Sequence, residues 1–230
     1  MHPLIEIYNY LACMASITSD NAPEIFGRCL TKSGTHPEAT NEHIIHPLFG
    51  ISVDLYETLT QINKLASRQV HGNPTDFQLE AREIELRLQS WQPPPVEDSR
   101  QLTEARAVGF ALQWAIIMRL LQVTKRMHNG DAQMRKGSDN ILSALSLVRP
   151  GSEMEARMLF PLFMAGVCSM TKASRLTVEY RLNAMETTIG FGNIFVAHRL
   201  LDEVWRLSNQ HECVNWEELK ERKYPGLVLF

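Results

Sequence analysis

The fold is decided by residues 105–123, which run ARAVGFALQWAIIMRLLQV. Apolar side chains occur at nearly every angle around a helix drawn through this segment, and few polar ones interrupt them. A helix with one apolar stripe lies at a surface, whereas a helix that is apolar all round is surrounded by other helices. The segment therefore predicts a central helix, which helices formed by the rest of the chain must cover.

The flanking sequence shows the helical period in several places. Apolar residues recur three or four positions apart over 55–66, 178–189 and 194–204, which places each set on one helix face. No stretch alternates apolar and polar residues in the manner of a half-buried strand. The sequence therefore predicts an all-α fold, a single domain over residues 1–230 with about eight helices stacked around the apolar central one.

Helix breaks are also visible in the sequence. A run of three prolines places an exposed connection at about 92–99, and residues 31–42, rich in Thr, Ser, Gly, Pro and Asn, indicate a second loop. Pro161 is expected to kink its helix or to mark where that helix starts. Ser152 and Glu155, three positions apart, form the pattern of a helix-capping box.

Composition and charge exclude several classes of protein. With 44% hydrophobic and 21% charged residues, the chain of 230 residues differs from a disordered one. Residues 1–98 carry 6 Lys/Arg against 13 Asp/Glu, a balance of −7, and residues 99–230 carry 17 against 13, a balance of +4. The basic residues occur in dispersed pairs, so we expect no direct DNA binding by this chain. The longest apolar stretch, residues 108–123, contains Arg119 and is short for a bilayer span, so we expect no membrane segment.

The sequence offers no clear pattern for a metal or a cofactor. Its four cysteines lie at least sixteen positions apart and form no Cys-x-x-Cys pair, so we expect free thiols. His43 and His46 have a spacing that can share a metal, but Pro47 follows directly, and we favour a capping or loop role. Gly190 and Gly192 lack the third glycine and the preceding strand of a dinucleotide fingerprint, and we expect them to separate two helices. We therefore predict neither a cofactor nor a metal site.

Isolated polar side chains on apolar helices are the remaining candidates for chemistry, because such groups are buried only with partners. Gln113 can donate to a substrate carbonyl and His198 can act as an acid or a base, so these two are the candidate catalytic residues. The candidate ligand-binding residues are Trp114, Met118, Arg119 and Tyr180. We expect a hydrophobic small molecule between the central helix and the last two long helices, with ordinary core packing as the alternative.

Five strings, in order, carry a family resemblance. They are HPLFG at 46–50, WQPP at 91–94, ALQWA at 111–115, LFPLFMAG at 159–166 and AHRLLDEVW at 197–205. Together they resemble the C-terminal regulatory domain of fungal-specific zinc-cluster transcription factors, most strongly over residues 41–220. The resemblance implies stacked α-helices, a nuclear location and modulation of transcription, in some members by sensing small molecules. The zinc cluster, basic arm and coiled coil of that family have no counterpart here, so no residue is assigned to DNA binding.

The resemblance favours a regulatory domain that modulates transcription by binding a small molecule or a protein, and three origins stay open. The chain is the regulatory part of a longer zinc-cluster factor, or a short product that acts through the transcription machinery or a second copy of itself. The third origin is a helical domain recruited as an enzyme of fungal secondary metabolism. Such an enzyme would be a cofactor-free cyclase or isomerase whose pocket guides the cyclisation of an apolar substrate. Apart from the resemblance, a cytoplasmic location is the expectation.

Overall fold

The chain folds into an array of packed helices. The structure, a computed structural model, describes residues 3–18, 50, 53–68, 74–93, 99–210 and 214–229. Within these ranges it contains nine α-helices and no β-strand. In chain order they are α1 (Pro3–Ala15), α2 (Val53–Arg68), α3 (Pro74–Ser90), α4 (Arg100–Lys125), α5 (Ala132–Leu145), α6 (Leu159–Val167), α7 (Lys172–Thr188), α8 (Gly192–Ser208) and α9 (Trp216–Lys223). The predicted all-α fold is confirmed, whereas the expected loop at 31–42 and the pair His43 and His46 lie outside the described residues.

Helix α4 is the centre of the array. It extends beyond the predicted segment at both ends and packs against α2, α3, α5 and α6. Ser99 starts the helix, because its side-chain oxygen accepts the N–H of Leu102 at 3.3 Å. Arg126 ends it in the left-handed conformation, with a φ of 49°. Most side chains of the segment are buried, so the predicted central helix is confirmed.

Helix α4 is longer than the apolar stretch 108–123, which we expected to be too short for a membrane span. With 26 residues it is long and apolar enough to cross a membrane, and it is the one such helix among the described residues. However, 72% of its apolar window is buried inside the fold. Neighbouring helices cover this surface, whereas a single membrane-spanning helix presents its apolar surface to lipid. Burial, rather than length, is the observation that separates α4 from a membrane span.

The amphipathic segments pack with the faces that their period predicts. On α2 the residues Leu55, Leu59 and Ile62 are buried, and on α7 so are Val178, Leu182 and Met185. On α8 all four predicted positions are buried, namely Ile194, Ala197, Leu201 and Val204. Gly190 joins α7 to α8 with a φ of 72°, which a glycine adopts without strain.

Helix α6, which contains the LFPLFMAG string, is short and wholly buried against α4, α5, α7 and α8. Pro161 lies in its first turn, where a missing N–H costs no hydrogen bond, so this proline marks the start of the helix. At the other end, Ser138 Oγ donates to the carbonyl of Ala165 at 2.9 Å, and Trp205 Nε1 donates to the carbonyl of Gly166 at 2.8 Å. Side chains from α5 and α8 therefore join Ser169, whose hydroxyl and N–H donate to the same two carbonyls, in satisfying the buried end of the helix.

The absence of a side chain at Gly166 lets α6 approach α7 and α8 closely. An added Cβ would lie 2.8 Å from Cδ1 of Leu201 and 3.1 Å from Cγ1 of Val178. We expect Gly166→Ala to lower the free energy of unfolding by about 1–3 kcal/mol, because an overpacked core must shift its neighbours. Gly192 has no heavy atom within 4 Å of an added Cβ, so Gly192→Ala should leave the protein equally or more stable. Urea denaturation measures both, and equal stabilities would contradict the close approach at Gly166.

A buried ion pair connects α7 to the turn that precedes α6. Glu155 is fully buried, and its Oε1 lies 3.3 Å from Nη2 of Arg181 on α7. Its Oε2 accepts the N–H of Gly151 at 2.7 Å and the hydroxyl of Thr188 at 3.0 Å. The expected capping box of Glu155 with Ser152 is therefore wrong. In a capping box the Glu155 carboxylate would accept the N–H of Ser152, whereas here it accepts the N–H of Gly151 and contacts Arg181 and Thr188 of α7.

Candidate ligand-binding groove

A surface groove runs beside the central helix, between α3, α4 and α5. One part of it has a volume of about 240 Å³. Apolar side chains form most of its wall, and those that the helices contribute are Leu88, Trp114, Ile117, Leu120 and Leu121. Polar side chains from α3 and α5 complete the lining, namely Glu85, Gln89, Gln133 and Lys136. We call this feature, with its continuation below, the α4 groove.

The α4 groove continues along α3 into a second depression of about 250 Å³. The two parts share Glu85, Leu120 and Leu121, so they form one feature. The second part is further lined by Phe77, Gln78, Ala81, Arg82, Thr124 and Lys125. From Phe77 to Gln89 the lining follows α3 for about 18 Å, at the helical rise of about 1.5 Å per residue. The groove is therefore elongated, and it is open to solvent.

Trp114 is the aromatic side chain of α4 that lines the groove. Its ring is half-buried, and Nζ of Lys136 on α5 lies 5.9 Å from the ring centroid. This is within the range of a cation–π contact. Of the four predicted ligand-binding residues, Trp114 is the one that the structure places in this groove.

Cationic side chains predominate among the charged ones that line the groove in the described part of the chain. Three of them are cations, namely Arg82, Lys125 and Lys136, and Glu85 is the anion. The Glu85 carboxylate is already engaged, since its oxygens lie 3.0 Å from Arg82 Nη1 and 3.7 Å from Lys125 Nζ. The rim therefore has a positive balance above an apolar floor.

Gln113 and Met118 are next to the groove but serve the packing of its walls. The Gln113 amide nitrogen donates to the carbonyls of Leu88 and Trp91, at 2.6 and 3.3 Å, which ties the end of α3 to α4. Met118 is fully buried, and its Cγ and Sδ lie 2.6 Å from a Cβ added at Gly137 of α5. Met118 therefore fills the space that this glycine leaves between α4 and α5.

Arg119 and Tyr180 lie outside the α4 groove. Arg119 is buried on another side of α4, where it forms an ion pair with Glu217 of α9 and lines a cavity of about 30 Å³. Tyr180 was expected to be embedded among apolar residues, but it is 66% exposed, because it lies opposite the buried face of α7. The predicted ligand-binding residues are thus distributed over three places in the fold.

His198 lies between α7 and α8. Its Nδ1 is 2.8 Å from Oε1 of Glu186, and both side chains are mostly buried. Burial raises the pKa of the nearby Asp202 carboxyl above its usual value, with His198 opposing the shift and Glu179 and Glu186 adding to it. His198 and Gln113 are therefore on different helices with different partners, and the structure does not bring them together as one catalytic pair.

The residues that α3 and α5 contribute to the groove were not among those predicted from the sequence. Phe77, Ala81 and Leu88 are four and seven positions apart, and this spacing was a signal for one apolar face of α3. The position of Lys136 beside Trp114 had no signal, because it depends on how α5 packs against α4.

The described thiols are poor candidates for chemistry. Burial raises the pKa of both Cys13 and Cys168 to about 12, so they are protonated at neutral pH and unreactive. No group of three or more His, Cys, Asp or Glu side chains that could hold a metal ion was found among the described residues.

Comparison with known proteins identifies the family of the chain. A family model described as "Fungal specific transcription factor domain" matches residues 1–230. Neither a search of curated proteins nor a search of solved structures found a significant match. The match covers the whole chain, and it agrees with the resemblance carried by the five sequence strings and with the stacked helices of the structure. The chain therefore belongs to the fungal-specific transcription factor domain family.

Proposed function

We propose that this chain is a regulatory domain that modulates transcription by binding an apolar ligand in the α4 groove. Membership of the family supports a regulatory role in transcription and suggests a nuclear location. The observation that supports ligand binding is the groove itself, an elongated apolar surface beside the central helix with polar groups at its rim. Ligand sites of proteins have this composition, in which apolar walls bind and a few polar groups orient.

The position of the groove differs from the one that we expected from the sequence. The ligand was expected between the central helix and the last two long helices, whereas the α4 groove lies between α3, α4 and α5. Neither candidate catalytic residue lines it, since Gln113 holds the end of α3 and His198 pairs with Glu186. The cyclase alternative stays a prediction from the sequence, and the groove favours binding without chemistry.

Thermal-shift screening with hydrophobic fungal metabolites tests the ligand site. A bound compound at a hundred times its dissociation constant should stabilise the chain by about 2.7 kcal/mol. Trp114→Ala should abolish this shift, whereas Tyr180→Ala, a matched aromatic truncation on the exposed face of α7, should leave it unchanged. A shift that is lost in Tyr180→Ala and kept in Trp114→Ala would place the ligand outside the groove. Product analysis of every hit separates a sensor from an enzyme.

A tethered reporter tests the regulatory role. The chain is fused to an unrelated DNA-binding module, because we propose no direct DNA binding by the chain itself. We expect the fusion to change reporter expression in a fungal host, and Trp114→Ala to remove that change at equal protein level. An unchanged reporter with both the original fusion and the Trp114→Ala fusion would contradict the proposed role.

A further inference from the structure

We infer that the α4 groove binds the apolar face of an acidic amphipathic helix from a partner protein. The inference rests on the proposed function, because it names the class of ligand for the same site. Three properties of the groove carry it, which are its length, its apolar floor and the charge of its rim.

The length of the groove matches a short helix. The lining follows α3 for about 18 Å, which is slightly more than three helical turns of about 5.4 Å each. The two depressions lie one after the other along this line and share Leu120 and Leu121. A helix that binds in a groove uses apolar side chains spaced three, four and seven positions apart. Two successive depressions offer places for two or three such side chains.

The floor of the groove is apolar and built on rigid elements. Leu120 and Leu121 are buried in the core, and Ile117 and Trp114 are half-buried beside them. All four belong to the central helix, which is held from several sides by its neighbours. A preformed apolar floor of this kind binds an apolar helix face without first having to order itself.

The positive charge of the rim favours a partner helix with negative charge. Lys136 lies at the end of the groove that contains Trp114, and Arg82 and Lys125 lie along the part formed with α3. Arg82 and Lys125 both contact Glu85, and this single anion does not neutralise three cations, so the rim keeps a positive balance. Carboxylates on the flanks of a bound helix would meet these cations, whereas lysines would be repelled.

Peptide binding to the full chain tests this inference. The probe is a fluorescent peptide of about 16 residues, with leucines at helical spacing on one face and glutamates on both flanks. A second peptide has lysine in place of every glutamate, and a third has the acidic composition with its leucines scrambled. We expect the acidic helix to bind at least about tenfold more tightly than either control. Its binding should weaken as salt rises from about 50 to 300 mM, because the rim contacts are exposed to solvent.

Charge-reversal variants locate the site. Lys136→Glu should weaken binding of the acidic peptide at least about fivefold, and Lys125→Glu should act in the same direction. Arg135→Glu is the matched control, since Arg135 is exposed, adjacent in sequence and not part of the described lining. Circular dichroism confirms that each variant remains folded. Trp114→Ala removes part of the floor without changing charge, and we expect it to weaken binding as well.

The outcomes separate this inference from the proposed function. The inference of an acidic helix would be wrong if the acidic and basic peptides bound equally. It would also be wrong if Lys136→Glu and Arg135→Glu had equal effects. If Trp114→Ala alters the reporter or a metabolite shift while no peptide binds, the groove is a regulatory site for small molecules and the helix inference is wrong. If the acidic peptide binds as expected and the reporter ignores Trp114→Ala, the docking site stands and the regulatory proposal fails.

Discussion

Replacing Glu155 with alanine is expected to lower the free energy of unfolding by about 3–5 kcal/mol, the usual cost of breaking a buried ion pair. The carboxylate is fully buried, and its removal leaves the Arg181 guanidinium without its anion in a site where water has little access. Arg181 would retain its hydrogen bond to the carbonyl of Val148, at 2.8 Å, which does not compensate for the charge. The N–H of Gly151 would also lose its acceptor.

Two further variants show whether the lower free energy of unfolding comes from breaking the Glu155–Arg181 ion pair or from the loss of any glutamate. Glu153→Ala removes an exposed carboxylate two positions earlier and should change the free energy of unfolding by less than about 0.5 kcal/mol. The double variant Glu155→Gln with Arg181→Met removes both charges and should be more stable than Glu155→Ala. Urea denaturation followed by circular dichroism measures all three. A loss below about 1 kcal/mol in Glu155→Ala would show that solvent reaches the pair.

Leu120→Ala is expected to cost about 2–5 kcal/mol of stability, because it empties a packed position on the central helix. Leu120 is 3% exposed and lies between the core and the floor of both parts of the α4 groove. Leu79, on α3, is 67% exposed, so Leu79→Ala is the matched control and should be nearly neutral. Denaturation curves of the two variants give the comparison, and equal midpoints would place Leu120 outside the packed core.

The helices were predictable because their signal is local. The segment at 105–123 has apolar side chains on all sides, and any fold that buries it must surround it with other helices. The repeats on α7 and α8 likewise identified their buried faces before any neighbour was known. Even so, the ends of α4 were missed, and with them the length of the helix, because Ser99 and Arg126 act through cap geometry.

The roles of single polar residues were much less predictable. Glu155 was paired with Ser152 from their spacing, although its partner, Arg181, is twenty-six positions away on another helix. Gln113 and Trp114 are neighbours in sequence, yet one ties α3 to α4 and the other lines the groove. Tyr180, adjacent to the buried Arg181, faces solvent. A polar side chain obtains its role from its contacts, and sequence spacing reveals only those contacts that lie within one helix.

The sequence alone determined the all-α class, the central position of α4 and the faces that α2, α7 and α8 bury, because hydrophobic periodicity acts within single helices. The strings between 46 and 205 also sufficed for the family resemblance. The α4 groove was decided by the tertiary structure. It needs residues 77–89 of α3, 114–125 of α4 and 133–136 of α5 at one place. Their separation depends on side-chain volumes at the helix contacts, such as Met118 against Gly137, and these act between helices whose arrangement no local pattern specifies.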